Sequence, residues 1–355
     1  MLLPLILSCV IASLACAFLL RFGAASASRY SLAMPQRFHA GDVPRMGGAA
    51  MLLACVGGWA LLGLPPGVAL AWWAVAVIAA GTGLAEDLTL RVPVRWRLLL
   101  TLLGGAVATL SLDLHIGPLG LRALESLWIA APWLGTLLAV VAVGGLPHAF
   151  NLIDGYNGLA GSVALICCGA IALVALQLGD AQLAGIVLVA AGATAGFLAW
   201  NYPRGLIFAG DGGAYLWGAV IAVASVQLVQ RHDAVSPWFP ALLLIYPVWE
   251  TVFSAYRKLA RGQSPGLADA LHLHQLVFRR IVRGVDHEDP AVRMRLRNNR
   301  TAPYFWALAL LAAVPSTLFW RSTPVLMAFC ALFIVSYVAA YLSIVRFKVP
   351  GWLRR

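Results

Sequence analysis

Several acidic and amide side chains stand close to glycines, in patterns that could bind a metal ion or a phosphate. Glu86 and Asp87 are adjacent, while Asn151, Asp154 and Asn157 alternate with two glycines. Carboxylate and carboxamide oxygens are the ligands that Mg²⁺ prefers, and adjacent carboxylates are tolerated where a cation or a proton shares their charge. Both segments are therefore candidates for catalysis, with a solvated helix end and a plain turn as the alternatives.

Two further segments suggest the binding of anions. Asp211 lies among glycines shortly after Asn201, where it is either a helix N-cap or part of a metal or phosphate site. His272 and His274 lie in a basic stretch. Because residues at i and i+2 do not share a helix face, both rings reach one ligand only from an extended or turning segment. Without a third histidine or a cysteine nearby, an anionic ligand is favoured over zinc.

The rest of the chain predicts a membrane protein. Of its 355 residues, 61% are hydrophobic and 11% are charged, with a mean hydropathy of +0.85, whereas soluble domains contain about 25% charged residues. We predict an all-α polytopic membrane protein with one transmembrane domain, 1–355, and about eleven spans of roughly 20 residues. The predicted spans are 2–20, 47–64, 67–85, 98–116, 127–147, 158–179, 181–200, 212–230, 237–256, 303–320 and 324–345.

The basic residues predict the orientation. With the N-terminus outside and the C-terminus in the cytoplasm, 22 of the 25 basic residues fall in cytoplasmic segments, as the positive-inside rule requires. This bias explains the net charge of +11 without a nucleic-acid partner. The largest cytoplasmic loop, 257–301, carries the His-x-His pair. Nine of the fourteen acidic residues lie on the same side, so we predict one metal-and-phosphate site at the inner face.

Six motifs in this order resemble the polyprenyl-phosphate N-acetylhexosamine-1-phosphate transferases. The similarity extends from about residue 35 to 276, and its motifs are His39 with Pro44-Arg45, Glu86-Asp87, Asn151-x-x-Asp154-Gly-x-Asn157-Gly, Gly210-Asp211-x-Gly213, Pro247-x-x-Glu250-Thr and His272-x-His274. The chain departs from the family pattern at five positions. They are Glu86, Asn157 and Glu250, where the family has aspartate, Ala214, where it has serine, and Gln275, where it has histidine.

The resemblance implies that a sugar 1-phosphate passes from a UDP-N-acetylhexosamine to undecaprenyl phosphate, releasing UMP and starting a lipid-linked cell-envelope glycan. It implies Mg²⁺, with Mn²⁺ as the alternative, and a site on the cytoplasmic face of the bacterial inner membrane. Of the family's branches, those that serve O-antigen, teichoic-acid or capsule assembly are the most similar. The implied roles are catalysis for Asp87, Glu86 and Asp154, metal binding for Asp211 and Asn151, and substrate binding for His272, His274, Arg45, His39, Asn157, Asn201 and Glu250.

Two other classes of protein fit the same composition. A polytopic lipid or sugar transporter would move a substrate without releasing UMP, although transporters more often carry polar residues near the membrane midplane. A membrane scaffold without activity would explain the departures at Glu86 and Asn157. The sequence also leaves open whether the protein forms a homodimer.

Overall fold

The computed structural model describes residues 1–22, 43–264 and 271–346, and these residues form helices and turns without a β-strand. The helices are α1 Leu2–Phe22, α2 Gly47–Ala60, α3 Pro66–Thr89, α4 Val94–Leu112, α5 Arg122–Ala130, α6 Trp133–Ile153, α7 Leu159–Gln177, α8 Ala181–Asn201, α9 Gly210–Arg231, α10 Trp238–Leu243, α11 Ile245–Leu259, α12 Leu273–Arg280, α13 Pro290–Leu318 and α14 Thr323–Val345.

Within the described residues, nine of these helices are long and apolar enough to cross a bilayer: α1, α3, α4, α6, α7, α8, α9, α13 and α14. Their outward faces carry large apolar side chains, such as Leu14, Leu110 and Val335, each at least 65% exposed. Such surfaces suit lipid and would be an aggregation liability in water. The prediction of an all-α, multi-pass membrane protein is therefore confirmed, while the number eleven and the orientation stay predictions.

The two remaining predicted spans form shorter helices. The window 47–64 becomes α2, whose 14 residues reach about 21 Å, less than the bilayer core of about 30 Å. The window 237–256 becomes α10 and α11, which meet at Leu244. Pro247 lacks the N–H that would bond to the carbonyl of Leu243, which disfavours one continuous helix at this point.

Helix α9 forms the centre of the bundle. Its residues from Gly210 to Leu228 are all buried, and it contacts α2, α3, α6, α7 and α8. Glycines allow the close approach of these helices, because a Cβ on Gly48 or Gly83 would overlap the backbone of α9. Small residues at helix interfaces are typical of membrane proteins, where dispersion contacts replace the hydrophobic effect between helices.

The helix boundaries differ from the predicted spans at three places near the site. Arg97, predicted in a loop, lies in the first turn of α4, and Asn151 lies in the last turn of α6. The predicted span 303–320 is the second part of α13, which begins at Pro290. Loop 257–301 therefore contains α12 and the first turns of α13, and its assignment to the cytoplasm stays a prediction.

Candidate active site

The site is built around the first turn of α9, where a carboxylate from α3 binds the helix start. The side chain of Asp87 accepts hydrogen bonds from the backbone N–H groups of Asp211 (3.1 Å) and Gly212 (2.9 Å). The first N–H groups of a helix lack partners within the helix, and the helix dipole favours an anion there. Asp87 is only 6% exposed. The N-cap of α9 is Ala209, so the interpretation of Asp211 as an N-cap is wrong.

Gly210 is required for this contact between α3 and α9. Its φ of +68° is a conformation that L-residues rarely adopt, and a Cβ at this position would collide with the carboxylate of Asp87. Glycine has no such penalty. The glycine beside Asp211 thus lets the backbone of one helix approach a carboxylate from another.

The carboxylate of Asp211 joins three other parts of the chain. Its Oδ1 accepts from Asn151 Nδ2 at 2.8 Å and pairs with Arg45 Nη2 at 3.2 Å. Its Oδ2 pairs with Arg97. Arg45 also reaches Asp87, with Nε 3.3 Å from Oδ1. These contacts bring five side chains together. Four of them, all except Arg97, were predicted from their motifs.

Asp154 lies beside Asp87, Asp211 and Arg45, and their charges affect its pKa. It is the C-cap of α6, just outside the helix. Burial raises the pKa of Asp154 to about 7, the charge of Arg45 opposes this shift, and the carboxylates of Asp211 and Asp87 add to it. Three carboxylates and two arginines thus share one region of low dielectric, where charges interact strongly.

Glu86 and Asp87 are adjacent in sequence but have different partners. Glu86 Oε2 accepts from the backbone N–H of Val92 at 2.8 Å, in the turn that follows α3. Consecutive helical residues point about 100° apart, so only Asp87 reaches α9. The catalytic role of Glu86 stays a prediction.

The two histidines lie at the start of α12 and face the same way. His272 is the N-cap, with an extended backbone (φ −64°, ψ 148°), and forms a capping box with Gln275. The rings of His272 and His274 are stacked, with centroids 5.3 Å apart and planes 9° apart. The sequence required a non-helical segment for both rings to face one ligand, and His272 provides it because it lies just before the first residue of α12.

Glu250 lies behind the histidines and is fully buried. Its Oε1 is 3.2 Å from His272 Nδ1 and accepts from the N–H of Leu273 at 3.1 Å. Its Oε2 accepts from the hydroxyl of Tyr337 at 2.6 Å. Glu250 therefore orients His272, and its predicted contact with substrate is not tested by this geometry.

His274 connects α12 to the turn that follows Asp154. A Cβ on Gly155 would lie 3.5 Å from His274 Nε2, and the ring of Tyr156 meets that of His274 edge-on, with centroids 5.6 Å apart. The His-x-His pair and the acidic group are thus neighbouring parts of one site.

Residues 69–229, which include Asp87, Asn151, Asp154 and Asp211, match the model of glycosyl transferase family 4. The chain belongs to this family. The matched segment begins in α3 and ends in α9, so it contains the helices that form the acidic part of the site.

The similar proteins are all named as transferases that act on a polyprenyl phosphate. A probable undecaprenyl-phosphate N-acetylglucosaminyl 1-phosphate transferase of Bacillus subtilis is 30% identical over 67% of this chain and 66% of its own length. An undecaprenyl-phosphate alpha-N-acetylglucosaminyl 1-phosphate transferase of Thermotoga maritima is 31% identical over 39% and 41%. A decaprenyl-phosphate N-acetylglucosaminephosphotransferase of Mycobacterium tuberculosis is 27% identical over 87% and 80%. The alignment spans just under two thirds of the Bacillus protein and less than half of the Thermotoga protein.

The two amides predicted to bind substrate form hydrogen bonds with other parts of the protein. Asn201 Oδ1 accepts from the N–H of Gly158 at 2.6 Å, and its Nδ2 donates to the carbonyl of Ile207 at 2.8 Å. Asn157 Nδ2 donates to Asn299 Oδ1 at 2.9 Å. Both amides therefore hold turns beside the site, and their contact with substrate stays a prediction. His39 lies outside the described residues.

Sequence reasoning missed Arg97 and a polar layer one turn deeper in the bundle. Thr101 Oγ1 is 2.9 Å from His148 Nε2, and the hydroxyl of Tyr215 is 3.5 Å from His148 Nδ1. Thr101 follows Arg97 by four residues, and Tyr215 follows Asp211 by the same interval. This spacing marks one helix face and was the available signal. Arg97 was hidden because a basic residue near a span is ordinary in a cytoplasmic loop.

The donor set suits a hard cation that also binds substrate. No group of three or more histidine, cysteine or acidic side chains that could hold a metal ion occurs among residues 1–22, 43–264 and 271–346. Mg²⁺ is commonly held by one or two carboxylates together with substrate phosphates and water, not by a complete protein cage. Asp211 and Asn151 offer oxygens of the right kind, so the residues fit the ion, and its presence stays a prediction.

Proposed function

We propose that this protein transfers a sugar 1-phosphate of the N-acetylhexosamine type from a UDP-sugar to undecaprenyl phosphate and releases UMP. The observation that carries the proposal is the convergence of Asp87, Asp154 and Asp211 with Arg45 and Arg97 at one end of a membrane bundle. Such a mixture of anionic and cationic side chains suits two phosphorylated reactants. The polyprenyl phosphates and N-acetylglucosamine in the names of the relatives support this choice of substrates.

We assign the site to the cytoplasmic face of a bacterial inner membrane. The start of α9 and the end of α3 lie at the same end of the bundle, where the sequence concentrates its basic residues. A lipid phosphate reaches such a site from the bilayer, and a nucleotide sugar reaches it from the cytoplasm. The glycan that follows would belong to the cell envelope.

The chemistry is a displacement at phosphorus. A phosphate oxygen of the acceptor lipid forms a bond to the phosphorus that carries the sugar, and the bond from that phosphorus to the bridging oxygen breaks, so UMP leaves. Asp87, fixed by two backbone N–H groups, orients or deprotonates the lipid phosphate. Asp154, whose pKa is raised to about 7, lies in the range where it can exchange a proton with a phosphate of second pKa about 6.

The basic side chains bind the phosphates. Arg45 and Arg97 now pair with Asp87 and Asp211, and a bound phosphate would compete for the same guanidinium groups. His272 and His274 would hold the nucleotide diphosphate, because imidazole N–H groups donate to phosphate oxygens. Glu250 keeps His272 in place for this contact.

Asp211 and Asn151 would hold a magnesium ion, or manganese as the alternative, with Asp154 close by. When bound, such an ion offsets the charge of the diphosphate and polarises the leaving UMP. Removal of divalent cations with EDTA should abolish UMP release, and addition of Mg²⁺ should restore it. Full turnover in EDTA would contradict this assignment.

Release of UMP tests the reaction directly. The purified protein in detergent is given undecaprenyl phosphate and a panel of UDP-sugars, and UMP and lipid-linked sugar are measured. We expect turnover with a UDP-N-acetylhexosamine and a fall of about 10²–10³-fold in the Asp211→Asn variant, because the magnesium ion that offsets the charge of the diphosphate would lose a carboxylate ligand. Absence of UMP from every sugar, with substrate movement across a vesicle membrane, would instead indicate a transporter.

Asp180→Asn is the matched control for this measurement. Asp180 is also a partly buried aspartate paired with an arginine, Arg231, but it lies at the opposite end of the bundle. Asparagine caps a helix nearly as well as aspartate, so α8 keeps its cap. Turnover of this variant should stay within about threefold of the wild type.

A further inference from the structure

The first turns of α13 have no motif, yet they make specific contacts beside the site. Helix α13 has 29 residues, or about 43 Å, which exceeds a bilayer core of about 30 Å. Its start is capped by Asp289, which accepts from the N–H of Ala291 at 2.7 Å. In its third turn, Arg297, Asn298 and Asn299 point to two different parts of the site.

Two of these residues hold the turn that follows Asp154. Asn298 Oδ1 accepts from the backbone N–H of Asn157 at 2.8 Å. Asn299 Oδ1 accepts from the side-chain Nδ2 of Asn157 at 2.9 Å. Asn298 is only 2% exposed, so the first of these bonds is shielded from water, and its loss would leave a buried donor unsatisfied.

The same turn is also held by Trp306 on α13 and by the segment that follows α8. Asn299 Nδ2 donates to the carbonyl of Pro203 at 2.6 Å, and Trp306, further along α13, donates from Nε1 to the carbonyl of Gly158 at 2.9 Å. Gly205 fits against the amide of Asn157, where a Cβ would come within 2.7 Å of Nδ2. The turn therefore has little freedom to move relative to α13.

The third residue holds the helix that carries the histidines. Arg297 donates from Nε to the carbonyl of Val282 and from Nη2 to the carbonyl of Phe278, both at 2.9 Å. Its guanidinium also lies 4.3 Å from the centre of the Phe278 ring. Phe278 follows His274 by four residues and contacts the ring of Tyr156, with centroids 5.5 Å apart. Arg297 thus anchors the C-terminal end of α12.

We infer that Arg297, Asn298 and Asn299 form a brace that sets the position of the Asp154 turn relative to the His-x-His pair. The three side chains contact mainly backbone groups, so they are positioning residues and not catalytic ones. This inference rests on the proposed function, in which Asp154 acts at the reacting phosphate and the histidines hold the nucleotide. Because α13 contacts both the turn after Asp154 and helix α12, the brace fixes the distance between Asp154 and the two histidines.

Substitutions at Asn298 test the first contact. Asn298→Leu keeps the branched shape of the side chain but has no acceptor, whereas Asn298→Asp keeps an acceptor for the N–H of Asn157. We expect kcat for UMP release to fall about tenfold in Asn298→Leu, with the KM for UDP-sugar within twofold of the wild type. Asn298→Asp should recover most of the kcat.

Substitutions at Arg297 test the second contact. Arg297→Met keeps an apolar stem over Phe278 but loses both hydrogen bonds, and Arg297→Lys keeps the charge and one donor. We expect Arg297→Met to raise the KM for UDP-sugar about fivefold or more, because the histidines lose their register. Arg297→Lys should lie between this variant and the wild type.

Arg300→Met is the matched control, since Arg300 is exposed on the same helix and its loss changes the net charge equally. Its kcat and KM should stay close to those of the wild type. A purely structural role for the brace would lower the melting temperature and the amount of active enzyme while KM stayed unchanged in every variant, and this result would overturn the inference. Equal losses in Asn298→Asp and Asn298→Leu would also overturn it.

Binding of UDP separates this inference from the proposed function. The rise in melting temperature on addition of UDP can be measured without turnover. A wild-type protein that is stabilised by UDP but releases no UMP would refute the proposed reaction alone, and a weaker shift in Arg297→Met than in Arg300→Met would still support the brace. If wild type and both variants respond equally to UDP, the role of Arg297 is refuted even if the reaction is confirmed.

Discussion

At each end of α9 an aspartate pairs with basic side chains, but the two aspartates have different roles. At the far end, Asp180 caps its own helix α8 by accepting from Leu183 at 2.9 Å, and it pairs with Arg231 and His232 at 3.3 and 3.2 Å. Although burial raises its pKa, the Leu183 N–H, His232 and Arg231 hold the pKa of Asp180 below its ordinary value. One carboxylate with several donors is an arrangement that stabilises a fold.

About 33 Å away, at the start of α9, three carboxylates from three segments share two arginines. Asp87 binds the start of a helix other than its own, and the pKa of Asp154 is raised to about 7. Concentrating like charges in this way costs stability, and it is typical of sites where chemistry occurs. The number of carboxylates for each cation, and not the presence of ion pairs, therefore distinguishes the site from a structural contact.

Among paired substitutions at the two ends of α9, the largest difference should come from the arginines that pair with the aspartates. Arg97→Met removes a cation that pairs with Asp211 and should lower kcat/KM for UMP release about 100-fold, because the phosphates lose a charge partner. Arg231→Met, which breaks the pair with Asp180, should change kcat/KM less than threefold. Steady-state kinetics at saturating lipid decides. Similar losses in both variants would mean that the two ends do not differ in function.

Gly210 and Gly179 both have a positive φ and lie at opposite ends of the bundle, so the same substitution can be compared at the two ends. Gly210→Ala places a Cβ against Asp87, while Gly179, before Asp180, has φ +76° and no heavy atom within 4 Å of its ideal Cβ position. Gly179→Ala should therefore cost only the conformational strain of about 1–2 kcal/mol. Gly210→Ala should cost more and also lower kcat at least tenfold. Melting temperature and kcat are measured for both variants, and equal destabilisation with unchanged kcat would contradict the packing described here.

The smallest effect is a difference in the pH dependence of stability. A carboxyl with a raised pKa takes up protons on folding, so the native state loses stability as pH rises from the unfolded pKa near 4 to the folded value of about 7. Asp154→Asn removes this loss, and its melting temperature relative to wild type should rise by a few degrees between pH 5 and pH 8. The pKa of Asp180 is lowered, so its own carboxyl is ionised in both the folded and the unfolded chain above about pH 5, and the Asp180→Asn difference should change less than the Asp154→Asn difference over the same range.

Thermal unfolding of the purified proteins at pH 5, 6, 7 and 8 provides the measurement. The wild type and the two variants are compared in the same detergent. A constant difference for Asp154→Asn would show that neither burial nor the neighbouring carboxylates raise the pKa of Asp154.

Much of the site was predictable because its residues stand in short, polar segments of an apolar chain. Asp87, Asn151, Asp154 and Asp211 each follow or precede a predicted span, where a carboxylate or amide is uncommon. The His-x-His pair was equally visible. The structure brings these segments to one end of the bundle, as the prediction of a single site required.

Other residues could not be found in this way. Arg97 and Arg297 are ordinary members of a basic, cytoplasmic-type composition, and Asn298 and Asn299 belong to no motif. Their partners lie far away in sequence, such as Asn157 for Asn298. A contact of this kind depends on how α13 lies against α7 and α12, which no local pattern specifies.

The sequence by itself determined that the chain forms apolar helices in a membrane, since the length and hydropathy of a span depend only on local composition. It also determined that glycines accompany the acidic residues. Only the tertiary structure decided which side chains meet. Asp87 binds α9 while its neighbour Glu86 binds the Val92 turn, because successive helical residues point about 100° apart and the packed helices determine which direction leads to the site.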